Sequence, residues 1–382
     1  MAQRLKTDWL LFSTIVALTG FGLVMIYSAS SVAAELNPRI NSSFYYAAHQ
    51  LVWAAVSFIV LMYFKRLDYR RLHSPTWAFG SLGMVLFLQI VVFFLDSRTH
   101  RWFRLQGVGT LQPSEFAKPA LIIFFAYFVT ARQAAINTRR TIMAASLALA
   151  VQAATVGLGD LGTAIVLIVP AAVVLYVAGL ERKFVVGALA AALAFSAVFV
   201  ASKPYRMARI VGFFDPDYKW IGLVDRQGRI KQYVSQSVTT RDAGYQVRQS
   251  KIAVGSGGVL GLGLMQGKQK ILYLPEAHTD FIYAVVGEEL GLFGCGAVLA
   301  GFLIVLWRGC QLYWVAHDDF GRYLALGVTS SIVIQALINI SVVLGMGPTK
   351  GIPLPMISAG GSSLLSTLIC LGMLLSVSEH SG

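Results

Sequence analysis

The chain has 382 residues, of which 56% are hydrophobic and only 13% charged, and its mean hydropathy is +0.67. Soluble domains carry about 25% charged residues, so this composition excludes an ordinary soluble protein. The formal net charge of +13 comes without a DNA- or RNA-binding pattern. In a membrane protein, basic residues orient the chain and contact anionic lipid headgroups. We therefore expect an integral membrane protein that does not bind nucleic acid.

Ten apolar runs are long enough to form membrane helices, since about 20 residues cross a bilayer core of about 30 Å. They cover residues 10–30, 46–64, 77–95, 115–131, 142–158, 161–179, 184–202, 279–307, 323–346 and 358–377. The first run follows basic residues as a signal peptide would, but its length favours an uncleaved helix. The predicted fold class is an all-α polytopic membrane protein with about ten transmembrane helices, forming a single membrane domain over 1–382.

Basic residues are concentrated at the N-terminus and in the loops after the even-numbered runs. The positive-inside rule therefore predicts that both termini are cytoplasmic. One extracytoplasmic loop is long, about 203–278 between the seventh and eighth runs, and such length is uncommon without a function. We expect 215–243 to be a solvated linker and 244–275 to pack on the membrane surface.

Ionisable residues in or at the rim of a membrane helix are costly and mark functional candidates. The first group lies at the start of the fourth run, where Glu115 and Lys118 have i,i+3 spacing and can pair. The pair either makes a buried lysine tolerable or lines a polar cavity. Arg101, on the outer side, is a candidate for binding a phosphate.

The second group lies at the start of the eighth run, where Asp280 is expected just inside the outer membrane boundary. Asp280 is either a carboxylate stabilised by the helix dipole or a general base at an outward-facing cavity. Further along the same run, Glu288 and Glu289 are predicted to point in directions too different for both to face one cavity.

The third group is the loop 345–355, whose glycines and prolines cannot continue a helix. Such irregular backbone at membrane depth is found where it lines a cavity or is buried in protein. Lys350 is its sole charged residue. This lysine either faces the cavity or extends towards lipid headgroups.

Other sites are excluded by spacing. The glycine-rich run 255–263 is not a nucleotide loop, because Leu262 and Gln269 stand where a phosphate loop needs glycine and serine or threonine. The three cysteines lie in or beside apolar runs without metal-ligand spacing and are expected to act as small hydrophobic residues. No ligand cluster indicates a metal.

Four blocks in chain order, 101–118, 249–263, 274–291 and 347–363, together resemble the SEDS family (shape, elongation, division and sporulation). The resemblance implies a peptidoglycan glycosyltransferase that polymerises lipid II on the outer face of the bacterial cytoplasmic membrane. It also implies a class B penicillin-binding protein as partner, among other membrane proteins of the division machinery. The essential aspartate of the family matches Asp280, its late-loop lysine matches Lys350, and its Gln-Pro-Ser-Glu block matches 112–115.

The chemistry of lipid II then gives each residue an expected role. Asp280 is the general base that takes the proton of the acceptor hydroxyl in an inverting transfer. Cations are needed where charge develops on the leaving pyrophosphate. The residues expected to bind substrate are Arg101, Glu115, Lys118, Glu276, His278, Thr279 and Lys350. No cofactor is required by this scheme, and a divalent cation is left open.

Within the family, 268–277 and 286–289 look closer to the division branch than to the elongation branch, so we expect a role in septal wall synthesis. Three alternatives remain: an elongation polymerase, a flippase for lipid II, and a non-catalytic scaffold for the crosslinking enzyme. A flippase would use Glu115, Lys118 and Glu288 as its polar path.

Overall fold

The computed structural model describes residues 7–38, 40–96, 99–105, 109–159, 161–202, 204–215, 225, 232–233, 239–271 and 273–380. We number the α-helices of this part in chain order: α1 (Trp9–Glu35), α2 (Tyr45–Arg66), α3 (Pro75–Leu95), α4 (Ala117–Arg132), α5 (Arg139–Gly159), α6 (Leu161–Val177), α7 (Arg182–Ala201), α8 (Pro204–Phe214), α9 (Thr239–Gly257), α10 (Ile282–Val315), α11 (Asp319–Val343) and α12 (Gly361–His380). A short antiparallel hairpin, β1 (Phe103–Leu105) and β2 (Gly109–Leu111), precedes a 3₁₀ turn at Pro113–Phe116 and α4.

The all-α polytopic fold class is confirmed, and each of the ten predicted apolar runs overlaps an α-helix. Eight helices of the described residues are long and apolar enough to cross a membrane, and α6 contributes a shorter apolar helix. The count of ten spans and the cytoplasmic termini stay predictions. One boundary differs: α10 begins at Ile282, so Asp280 precedes the helix instead of lying in its first turn.

Polar side chains fix where several helices begin. Just before α1, the carboxylate of Asp8 accepts a hydrogen bond of 3.0 Å from the Leu11 amide. Just before α11, the carboxylate of Asp318 accepts one of 2.5 Å from the Gly321 amide. Such caps satisfy amides that the first helical turn leaves without partners. Asp8 also pairs with Arg308 at 2.7 Å, which joins the start of α1 to α10.

The interior of the bundle is formed by α4, α11 and α12. α11 packs against α4, α6, α10 and α12, while α12 packs most extensively on α2. Most side chains of these three helices are buried. Because α4 and α11 carry polar side chains into this interior, they can position the loops on one side of the membrane.

The long connection 203–278 is more helical than predicted. It contains α8 and α9, which pack against each other, and α9 also packs on α10. Most of the predicted linker 215–243 lies outside the described residues, although its end, from 239, is part of α9. The expectation that 244–275 packs on the membrane surface stays a prediction, and the glycine-rich part of this segment lies against α10.

This glycine-rich part, 258–271, is called the strap below. Its amides and carbonyls bond the backbone of α10: the Leu262 amide donates to the Glu288 carbonyl at 3.0 Å, and the Leu292 amide donates to the Gly258 carbonyl at 3.0 Å. The two backbones meet where Gly261 has φ +80° and α10 is kinked at Gly291, with φ +62°. A side chain at either glycine would collide with the other segment, so this run serves close packing.

Two buried carboxylates of α10 hold the strap. Glu288 accepts the amides of Lys268 and Gln269 at 2.7 and 3.1 Å. Glu289 accepts hydrogen bonds from the ammonium of Lys270 at 2.6 Å and from the hydroxyl of Ser28 at 2.7 Å. The prediction that the two carboxylates diverge is therefore wrong at this strap, because both side chains reach it.

Candidate active site

A cavity of about 260 Å³ lies between the loop before α10, the loop after α11 and α8. Four side chains singled out in the sequence line it: Arg101, Glu276, Asp280 and Lys350. They come from three separate segments of the chain, and the fold places two carboxylates beside two cations. We take this cavity as the candidate active site.

Two arginines of α8 extend the positive wall. Arg206 and Arg209 line the same cavity, and Arg206 also stacks over the ring of Phe199 with 3.9 Å between the guanidinium carbon and the ring centroid. Sequence reasoning missed both because their segment was interpreted as a loop. Their i,i+3 spacing after Pro204 is the signal for a shared helical face. With them, cations outnumber carboxylates among the described residues that line the cavity, which suits a phosphate-bearing ligand.

Asn339, a buried residue of α11, fixes the backbone at Asp280. Its side-chain amide donates to the Asp280 carbonyl and to the Ile352 carbonyl, both at 2.8 Å. The Ser358 hydroxyl also donates to the Thr279 carbonyl at 2.5 Å. These bonds join the loop that carries Asp280 to the loop that carries Lys350, so the two side chains keep a fixed relation. A polar residue inside an apolar run is the signal that would have found Asn339.

Gly351 keeps space for the carboxylate of Asp280. A Cβ atom at this position would lie 2.8 Å from Asp280 Oδ2, closer than carbon and oxygen can approach without a shift. The carboxylate therefore lies directly over the backbone next to Lys350. Even a methyl group at Gly351 is expected to displace it.

Asp96, just after α3, orders the loop that carries Arg101. Its carboxylate accepts the amides of Arg101 and Trp102 at 3.2 and 3.3 Å, together with the hydroxyl of Thr99. These hydrogen bonds, that of Thr99 first, hold the pKa of Asp96 well below its usual range. Arg104 lies 3.9 Å from Asp96 and is largely exposed, so Arg101 reaches the cavity while Arg104 stays at the loop surface.

Glu115 and Lys118 form an ion pair of 2.7 Å in which each side chain is only about 4–5% exposed. Lys118 also donates to the Gln335 side chain at 2.9 Å, and Gln335 donates to the Pro353 carbonyl at 2.8 Å. Neither member of the pair lines the cavity of Asp280. Instead, the pair reaches the loop after α11 through Gln335.

The remaining predicted residues surround Glu276. Thr279 donates its hydroxyl to the Glu276 carboxylate at 2.9 Å. The ring of His278 packs against that of Tyr46 with 4.6 Å between centroids. Burial lowers the pKa of His278, and the negative charge of Glu276 opposes that shift only in part. His278 and Thr279 do not line the cavity, so they support the loop from outside it.

The described residues contain no cluster of three or more His, Cys, Asp or Glu side chains that could hold a metal ion. The cavity nevertheless offers the carboxylates of Glu276 and Asp280. Magnesium is commonly bound by one or two carboxylates together with substrate phosphates and water. Among the described lining residues, these two are therefore the ones that could hold a divalent cation.

Comparison with known proteins finds relatives that match nearly the whole length of the chain. Residues 8–382 match the FtsW/RodA/SpoVE family model, described as a cell cycle protein. The probable peptidoglycan glycosyltransferase FtsW of Trichlorobacter lovleyi is 38% identical over 382 residues, covering 97% of this chain and 93% of that protein. Stage V sporulation protein E of Bacillus subtilis is 35% identical and covers 99% of both chains.

Solved structures show the same architecture. A chain from work on the structural coordination of polymerization and crosslinking by a peptidoglycan synthase complex superposes with a TM-score of 0.76 at 26% identity, covering 99% of both chains. The rod shape determining protein RodA of Thermus thermophilus has a TM-score of 0.66 at 23% identity, covering 99% of this chain and 98% of that one, which shows a shared fold. The chain belongs to the FtsW/RodA/SpoVE family of cell cycle proteins.

Proposed function

We propose that this protein is a peptidoglycan glycosyltransferase that polymerises lipid II at the outer face of the bacterial cytoplasmic membrane. The names of its relatives support this activity. The observation that carries the proposal is the shared cavity in which Asp280 lies with Arg101 and Lys350. A carboxylate beside converging cations suits a transfer reaction that removes one proton and releases an anionic pyrophosphate.

Lipid II carries a disaccharide whose anomeric carbon is bonded to a lipid pyrophosphate. Asp280 accepts the proton of the acceptor hydroxyl while that oxygen forms a bond to the anomeric carbon of the donor. The bond from this carbon to the pyrophosphate oxygen breaks on the opposite face, so the configuration inverts. The lipid pyrophosphate leaves with the bonding electron pair, and Arg101, Lys350 and the α8 arginines stabilise its charge.

Lys118 has a different role in this proposal from the one expected at first. Its ammonium is already committed to Glu115 and Gln335 at 2.7 and 2.9 Å. We therefore assign Lys118 to positioning of the loop 350–353, and the leaving group to the cations that line the cavity.

The same contacts favour an enzyme over a flippase. A polar path through the membrane needs side chains that can exchange partners with the cargo. Glu115 and Lys118 are instead buried against each other, and Glu288 is bonded to the strap amides at 2.7 and 3.1 Å. These groups are used to hold the fold together.

We further propose that both termini are cytoplasmic, that 1–382 is a single membrane domain, and that the partner is a class B penicillin-binding protein. The match to a chain of a complex that couples polymerization to crosslinking supports that partner. We also propose a role in division over elongation, which the family description as a cell cycle protein supports, together with the FtsW name of relatives at 38% identity.

Purified full-length protein in detergent, with its partner, should convert lipid II into glycan polymer. A detergent micelle has no opposite faces between which a lipid could be moved. A flippase or a scaffold would therefore give no polymer there. Lys350→Met should slow polymerisation strongly, while exposed Lys183→Met on α7, remote in sequence from the cavity residues, should not. If folded wild-type protein with its partner forms no polymer, the proposal is refuted.

A further inference from the structure

A second and larger cavity, of about 580 Å³, adjoins the candidate active site, and apart from Arg209 its lining residues have no part in the proposed mechanism. It is bordered by α8, α9 and the turn after α11. Arg209 and Thr349 line both cavities, so the two spaces share a wall. We call this second space the basic cavity.

Its positive charge comes from Arg209 on α8 and from Arg248 and Lys251 on α9. Arg248 and Lys251 are three residues apart and therefore lie on the same face of their helix. Among the described residues, no carboxylate lines the basic cavity, and none of these three cations has an ion-pair partner. Cations that converge without acidic neighbours are typical of an anion site.

Thr349 provides an independent sign of a ligand. Its side chain is 5% exposed, yet its hydroxyl has no hydrogen-bond partner within the described part of the chain. Buried hydroxyls nearly always have a partner. Because Thr349 stands in the wall between the two cavities, a phosphate oxygen in the basic cavity would supply the missing bond.

Gly345 makes space for the ammonium of Lys251. Its φ is +70°, a backbone conformation that favours glycine, and a Cβ atom there would lie 2.6 Å from Lys251 Nζ. Any other residue would push the ammonium away from this position. The turn after α11 is therefore shaped to keep a cation at the cavity wall.

From these observations we infer that the basic cavity binds the pyrophosphate of a second lipid-linked saccharide while the candidate active site holds the first. The inference rests on the proposed function, in which two lipid-linked substrates must be bound at once. Each carries an anionic pyrophosphate, and charge-assisted hydrogen bonds from guanidinium and ammonium groups recognise phosphate oxygens well. Arg209, in the shared wall, lies between the two pyrophosphates.

The direct test is the stoichiometry of lipid II binding to the full-length protein in phosphatidylcholine nanodiscs. Wild type and Asp280→Asn should each bind two equivalents. The double variant Arg248→Gln/Lys251→Met should bind one equivalent with unchanged affinity, or bind the second at least about tenfold more weakly, which corresponds to about 1.4 kcal/mol. The matched control Arg139→Gln/Arg140→Gln removes two exposed charges from the start of α5 and should keep both equivalents.

Thr349→Val keeps the inference testable if the double variant does not fold. It removes a buried hydroxyl that has no hydrogen-bond partner among the described residues, so thermal stability without lipid II should be unchanged or higher while the second equivalent binds more weakly. Two equivalents in the double variant, or one equivalent in wild type, would overturn the inference. So would full displacement of the second equivalent by phosphatidylglycerol in the nanodisc, since the site would then bind a phospholipid headgroup.

Failure of the proposed function gives a different result. In that case wild type forms no polymer in detergent, whatever number of lipid II molecules it binds. Competition by inorganic pyrophosphate for the second equivalent, with or without loss of the first, would support recognition of the phosphate groups. Persistence of both equivalents at saturating inorganic pyrophosphate would contradict it.

Discussion

Replacing Lys118 by methionine removes the cation of the buried Glu115–Lys118 ion pair and leaves the Glu115 carboxylate without its charge partner. Both side chains are only about 4–5% exposed, so water cannot take over the lost interaction. Breaking such a buried pair from one side costs about 3 to 5 kcal/mol, because a buried charge is left uncompensated. Lys118→Met should lower the free energy of unfolding by about this amount.

The double variant Glu115→Gln/Lys118→Met separates charge from packing. Replacing both members of a buried pair by neutral residues is often close to neutral in stability. The double variant should therefore recover most of the stability that Lys118→Met loses, apart from about 1 kcal/mol for the hydrogen bond to Gln335.

Reversible unfolding in mixed micelles, followed by circular dichroism, measures these free energies for wild type, the single variants Lys118→Met and Glu115→Gln, and the double variant. The single variants should be strongly destabilised and the double variant should lie close to wild type. If Lys118→Met costs less than about 1 kcal/mol, as exposed pairs do, the pair is not a buried ionised pair and this reasoning is wrong.

Three further predictions concern the loops around the cavity. Asn339→Leu removes the hydrogen bonds to the Asp280 and Ile352 carbonyls and should lower kcat far more than it raises KM for lipid II. Ser330→Ala on the same helix should change neither constant, and equal effects in both variants would contradict the positioning role of Asn339. Gly351→Ala should lower kcat because its Cβ meets the Asp280 carboxylate, and unchanged kinetics would show that the carboxylate does not lie there. Burial lowers the pKa of His278 from its ordinary value of 6.5, so the unfolded chain binds the proton more readily and the free energy of unfolding should fall as pH drops below 6.5. In His278→Phe, the free energy of unfolding should lack this dependence on pH. The same pH dependence in the variant and in wild type would refute the prediction.

Much of the architecture follows from the sequence because apolar length is a strong physical signal in a membrane protein. Each predicted run overlaps a helix, although the start of α10 lies later than expected. The helices α8 and α9 were missed because they lack a long apolar run. The position of α9 depends on packing against α10, and that of α8 on packing against α9, which a sequence pattern does not show.

The site was only partly predictable for a similar reason. Asp280, Glu276, Arg101 and Lys350 stand out as ionisable residues at the rims of apolar runs, and the fold brings them to one cavity. Lys118 carries the same signal, yet its contacts direct it to Glu115 and Gln335. Spacing along one helix can show that two residues pair, but not which cavity the pair faces.

The glycine-rich run 255–263 is a segment whose structural role could not be predicted from the sequence. Its failure to match a nucleotide loop is visible in the sequence, but its use is not. The strap lies against the kinked backbone of α10, and residues distant in sequence, Ser28 and Glu289, complete its bonding. That contact exists only once the bundle has formed.

The central claim, that Asp280 acts as the base in the cavity, is tested most directly by the single-turnover rate of Asp280→Asn with lipid II at saturation. Asparagine keeps the shape and leaves the cations in place, but it cannot take the proton. The rate should fall by about 100-fold or more, the usual contribution of a general base, while lipid II binding and thermal stability stay as in wild type. A rate equal to that of wild type would contradict the account.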